Sequence, residues 1–209
     1  MKKTSLMEVN FSSLFEHEHE EKAIKLISNH FRGHSEMFPW KGYAGYTLIE
    51  KGKQPARIDF CIVTHCNVLV IELKDWNNGV ITSRDGKWYL NKDQRDNSYP
   101  EENQRRVWDV LDPKLERIKK KFTNSGWKPF THSIVVMCGN ADWSQLPDTD
   151  KNSMMSLKDF LKLAEQASFN KKFNKKSWNP KMKVLNQDFH LFDEIFNDGI
   201  DCVYADDVI

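Results

Sequence analysis

Arg57-Ile58-Asp59-Phe60-Cys61-Ile62-Val63-Thr64, followed two residues later by Asn67-Val68-Leu69-Val70-Ile71-Glu72-Leu73-Lys74, is the stretch that decides the fold. In the first run Ile58, Phe60 and Ile62 alternate with Arg57, Asp59, Cys61 and Val63. In the second, Leu69, Ile71 and Leu73 alternate with Val68, Val70, Glu72 and Lys74. Both runs are rich in β-branched and aromatic residues, and His65-Cys66 between them leaves room only for a tight turn. That pattern predicts a β-hairpin.

Hairpin geometry then places chemistry. With the turn centred between His65 and Cys66, Asp59 falls directly opposite Glu72, and Lys74 projects from the same face as Glu72 because side chains two apart on a strand do so. Directly opposed β-carbons lie ~4.5–5.5 Å apart, where two like charges repel. A divalent cation offsets that repulsion. Mg²⁺ takes oxygen ligands, commonly one or two carboxylates completed by water and phosphate, and such an ion activates water against a phosphodiester. Lys74 is placed to position that water or to stabilise charge developing at phosphorus. The plain alternative is an edge hairpin on which Glu72 and Lys74 form a surface salt bridge.

Working outward, residues 16–31 read as a helix. Ala23, Ile27 and Phe31 recur near every fourth position, and acidic residues crowd the first turn. A strand is expected at 43–50, and two short strands at 79–83 and 87–90 joined by Arg84-Asp85-Gly86. Pro100 opens a helical stretch to about Phe122, with Val107, Leu111, Leu115, Ile118 and Phe122 on one stripe and a kink expected at Asp112-Pro113. A buried strand at 132–138 follows. Next comes an amphipathic helix at 156–167, with Ser156 as its N-cap and Asp159 three residues on. A final helix is expected at 188–196, and 201–209 is expected either as a closing strand or as the lead into a further domain. The fold class is α/β: three layers, a mixed central sheet flanked by helices. One domain spans 1–209, with its motif core at 16–140 and a C-terminal helical and strand extension at 150–209.

Ile58-Asp59-Phe60 followed by Val70-Ile71-Glu72-Leu73-Lys74-Asp75-Trp76 resembles the nuclease-related domain (NERD) family of PD-(D/E)xK nucleases. That family's pattern also has an acidic residue opening a helix, here Glu20 or Glu21, and a later helix entered through a proline and a glutamine, here Pro100 and Gln104. Asn103 stands three positions after Pro100, where the family pattern has the glutamine, and Gln104 comes one later. The resemblance covers residues 16–110 and, more loosely, the strand at 132–138. It implies a restriction-endonuclease-like fold and metal-dependent DNA cleavage. Asp59, Glu72, a main-chain carbonyl near Leu73, and Glu20 or Glu21 would hold Mg²⁺ or Mn²⁺. Lys74 would assist the attacking water, and Gln104 with Arg105 would position phosphate. RNA is an alternative substrate. A non-cleaving DNA- or protein-binding module in a larger assembly or defence system is the alternative function, with a protein partner or a second copy as its ligand.

The bulk composition fits a globular domain: 39% hydrophobic and 29% charged, with 31 basic and 30 acidic residues for a formal net charge of +1. Nucleic acid would therefore be held by a local basic face, not by the field of the whole protein. Two candidates stand out. Arg105 and Arg106 begin one, continued by Lys114, Arg117 and Lys119-Lys120-Lys121. Lys171, Lys172, Lys175 and Lys176, interleaved with Phe173 and Trp178, form the other, suited to a backbone track with a stacking platform. The Lys119-Lys120-Lys121 run reads as solvated surface. The four cysteines form no C-x-x-C pair, which argues against a cysteine-built zinc site. With no secretory leader and no apolar run near the ~20 residues that span a bilayer, the expected location is the cytoplasm, away from membranes.

Overall fold

The computed structural model describes residues 7–12, 18–30, 40–94, 100–124, 128–164 and 184–197. At its centre is a six-stranded sheet in the order β1-β2-β3-β4-β8-β9, built from β1 (Met7–Phe11), β2 (Trp40–Leu48), β3 (Ala56–Val63), β4 (Asn67–Lys74), β8 (Phe130–Met137) and β9 (Met154–Ser156). β2, β3 and β4 form an antiparallel meander; β1, β8 and β9 add in parallel. A second sheet holds β5 (Ile81–Arg84), β6 (Lys87–Leu90) and the two-residue β7 (Asp93–Gln94).

The hairpin forms in the register expected: Phe60 faces Ile71, and Val63 faces Val68. Thr64 holds the turn. Its hydroxyl accepts from the amides of Cys66 (3.2 Å) and Asn67 (3.0 Å), and its own amide donates to Asn67 O at 2.8 Å. Far from lying at an edge, β4 sits inside the sheet, paired along its whole length with β8.

Helices cover both faces. α1 (Glu18–His30) and α4 (Leu157–Ala164) lie on one side, where Ala23, Ile24, Ile27 and Phe160 pack on Phe60, Ile62, Leu69, Ile71 and Leu73. α2 (Pro100–Ile118) and α5 (Leu191–Asn197) cover the other. There Val107, Val110, Leu111 and Leu115, with Phe192 and Phe196, close over Cys61, Val63, Val68 and Val70. A one-turn helix, α3 (Asp148–Lys151), precedes β9. Together these layers make the mixed, helix-flanked sheet of a nuclease-like α/β fold.

Strict alternation fails at one place. Tyr43 and Tyr46, three residues apart, share one core layer, as do Ile58 and Cys61, while Ala44 and Phe60 lie in the other. Both strands therefore change faces between the ladder pairs Ala44–Phe60 and Tyr46–Ile58, with Gly45 and Asp59 at the crossing. Gly45 has φ of 72°, a conformation that glycine adopts without steric penalty.

Elsewhere the sequence pattern holds with small shifts. α2 runs through Pro113 as one helix. Ser156 caps α4 as expected, its hydroxyl accepting from Asp159 N at 3.0 Å and donating to the Asp159 carboxylate at 2.7 Å. Trp76 and Trp88 meet edge to face with centroids 6.0 Å apart in the core beneath the second sheet. The strand expected at 201–209 lies outside the described residues.

Candidate active site

Five charged side chains converge where β3 and β4 part. Asp59 is buried. Its Oδ2 accepts from the Leu73 amide at 2.8 Å, so a side chain takes the donor that a continuing β3–β4 ladder would have used. Glu72, one residue earlier on β4, is half-buried and accepts from Lys74 Nζ at 2.8 Å. From α1 comes Glu20, only 4% exposed although charged. It sits one turn before Ala23 and Ile24 on the helix's apolar stripe, which carries its carboxylate to the sheet. Arg57 Nη2 donates to Glu20 Oε2 at 2.9 Å, and Arg57 Nε lies 3.9 Å from Asp59 Oδ1.

Burial and nearby negative charge act together on Asp59. The Asp59 carboxyl is pushed up to about 8, first by burial and then by the charge of Glu72, with Glu20 adding to it. The Leu73 amide and Lys74 pull the other way without prevailing. Its neighbourhood extends to β8: Cys138, whose amide donates to Lys74 O at 2.8 Å, has its thiol pushed up to about 12 by burial and by Asp75 and Asp59.

Asp59 resists ionisation first because it is buried and then because Glu72 and Glu20 are charged nearby, a setting in which a divalent cation could offset the negative charge. The donor set, all oxygen, suits a hard ion such as Mg²⁺ or Mn²⁺. Among the described residues no three His, Cys, Asp or Glu side chains stand close enough to hold a metal by themselves. Asp59 and Glu72 are the carboxylates that could hold such an ion, with the remaining ligands supplied from main chain and water.

The remaining sequence candidates fall elsewhere. Glu21, which sequence alone left level with Glu20, points outward and pairs with Lys25 at 2.5 Å. Gln104, Arg105 and Arg106 lie early in α2, Arg105 exposed and the other two half-buried; they make no hydrogen bond or ion pair among the described residues. Further along α2 and just beyond it, basic residues pair within the chain or are buried. Arg117 grips Glu50 with two hydrogen bonds of 2.9 and 2.7 Å, Lys114 is buried, and Lys121 pairs with Glu194 at 2.5 Å. Lys171 and Lys172 lie outside the described residues. Sequence reasoning gave Arg57 no role; only the packing of α1 against β3 shows it.

A three-layer α/β domain with an acidic pair and a lysine at the parting of two central strands defines a nuclease-like class. The profile of the nuclease-related domain family matches residues 16–138, more than half of the chain. The chain belongs to that family. Neither a curated protein nor a solved structure matched it.

Proposed function

We propose that this protein is a Mg²⁺- or Mn²⁺-dependent nuclease that hydrolyses phosphodiester bonds of DNA. One observation carries the reading. The hairpin sets Asp59 in the field of Glu72, with Lys74 hydrogen-bonded beside them, inside a domain of the nuclease-related family.

Asp59, Glu72 and the Leu73 carbonyl are the groups that would hold the cation. When bound there, it supplies Lewis-acid polarisation of the scissile phosphate and acidifies a coordinated water. The chain's own residues do the rest. Leu73 N–H fixes the Asp59 carboxylate, so its geometry is set before substrate arrives. Lys74 exchanges its contact with Glu72 for the attacking water or the phosphate, and brings a positive charge to where negative charge develops. Gln104 and Arg105, at the start of α2, are the candidate phosphate contacts.

The test is cleavage of single- and double-stranded DNA, with RNA in parallel, in Mg²⁺ and in Mn²⁺. Asp59→Ala is expected to abolish cleavage. Lys74→Ala is expected to slow it by at least ~100-fold, the scale of losing one transition-state charge contact. Both variants should keep the wild-type circular dichroism spectrum. A wild-type protein inert on every substrate with both metals would sink the proposal.

A second reading draws on the ion pairs. Glu72 with Lys74 and Glu20 with Arg57 are each neutralised within the chain, an arrangement that a non-cleaving DNA- or protein-binding module could keep without metal. Such a module binds its ligand equally well in chelator, which the enzyme reading does not allow for productive binding.

A further inference from the structure

Arg57 belongs to neither the acidic pair nor the lysine, yet its guanidinium lies between two of the site's three carboxylates. It donates to Glu20 at 2.9 Å and stands 3.9 Å from Asp59 Oδ1. Its side chain is only 25% exposed, and those of Glu20 and Asp59 are 6% and 10% exposed. A guanidinium does not lose its proton at any working pH, so this is a permanent cation held among acids. Strand β3 fixes it from below, two residues before Asp59. The buried face of α1 fixes its partner Glu20 from above.

We propose that Arg57 fills the position that a second divalent cation would otherwise take. The site then binds a single Mg²⁺ or Mn²⁺ on Asp59 and Glu72, and Glu20 anchors Arg57 instead of ligating metal. This rests on the metal-dependent reading above and refines it. Three features support it. Asp59 divides its oxygens, Oδ2 toward the Leu73 amide and Oδ1 toward Arg57, so one side of the carboxylate already faces a cation. Glu20 is engaged by Arg57 at 2.9 Å, so its Oε2 is already committed to a cation. And a second metal placed between Glu20 and Asp59 would have to displace a positive charge that cannot be neutralised, at a distance where like charges repel strongly in a partly buried setting. Arg57 is thus a positioning residue that sets metal stoichiometry.

Calorimetric titration of Mn²⁺ into the whole chain without DNA tests this directly. Wild type should bind one ion per chain. Arg57→Met should bind two, and tighten the first by at least ~10-fold. Arg57→Lys, which keeps the charge, should stay at one. The double variant Glu20→Gln/Arg57→Met should return to one ion, because Glu20 is the ligand that loss of Arg57 releases. Circular dichroism checks each fold, and Arg57→Gln stands in if Arg57→Met does not fold. Two ions on the wild type would overturn the inference. So would Arg57→Met that matches wild type in stoichiometry and affinity, and in both cases the metal-dependent reading survives. If folded wild type and folded Arg57→Met both bind no Mn²⁺, the metal-dependent reading falls and takes this inference with it.

Discussion

At Asp59 burial and neighbouring charge act on one side chain. Its carboxyl sits at about 8 against an ordinary value of 3.8, so between those values the folded, metal-free protein holds a proton that the unfolded chain has lost. Stability therefore falls as pH rises from about 4 through about 8, and is steady beyond. Asp59→Asn keeps an oxygen for the Leu73 amide and removes the titration. Urea midpoints in chelator at pH 5 and pH 8 are expected to drop for wild type more than for Asp59→Asn, leaving the variant relatively more stable at pH 8. Equal drops would refute this. The hairpin carrying Asp59, Glu72 and Lys74 was legible in sequence. The direct pairing expected of Asp59 with Glu72 was not formed, because the β3–β4 ladder ends at Phe60–Ile71 and β3 changes faces at Asp59. The choice of Glu20 over Glu21 was not legible, since both begin the helix and only its packing against β3 decides which is buried. Arg57 was less legible still, because its partner Glu20 is 37 positions away in sequence.

Elements carry the site only because two strands change faces together. Alternation read from sequence put Ile58 with Phe60 and Ile62; the structure puts it with Cys61 and Val63, across the break at Asp59. A crossing strand can make this break because Gly45, beside Asp59 in β2, adopts a positive φ. Gly45→Ala should cost about 1–2 kcal/mol in urea unfolding, the penalty of a left-handed conformation for a residue with a Cβ. It should also weaken Mn²⁺ binding, because the strain falls next to the carboxylate. An unchanged midpoint would show that the crossing tolerates a side chain. At the far end of the sheet α5 is tied down by Asp193, which accepts from Lys41 at 2.6 Å, from Tyr43 OH at 2.7 Å and from Asn10 at 3.3 Å. Asp193→Ala strips these donors of their acceptor and should lower stability by roughly 1–3 kcal/mol without touching the acidic cluster. Long periodic elements, β3, β4, α2 and β8, were readable from sequence. The edge strands β1 and β9 were not, for they are short and partly polar, and their pairing depends on distant partners.

At the scale of the molecule, two layers meet at one charged junction: α1 brings Glu20, and the sheet brings Arg57, Asp59, Glu72 and Lys74. If all three carboxylates ionise, they outnumber the two cations among them by one, so the metal-free fold carries either an excess negative charge or a proton on Asp59. A ligand that supplies positive charge only in the folded arrangement must then stabilise the whole molecule, because the unfolded chain scatters these groups over more than fifty residues. Mn²⁺ at about 100 times its dissociation constant should add about 2.7 kcal/mol to unfolding, read as a rise in the thermal midpoint that chelator reverses. Asp59→Ala should lose that rise, whereas Glu21→Ala, on the outer face of the same helix that carries Glu20, should keep it in full. A rise of equal size in Asp59→Ala would place the ion elsewhere on the surface, and would separate stabilisation by metal from the junction that the fold assembles.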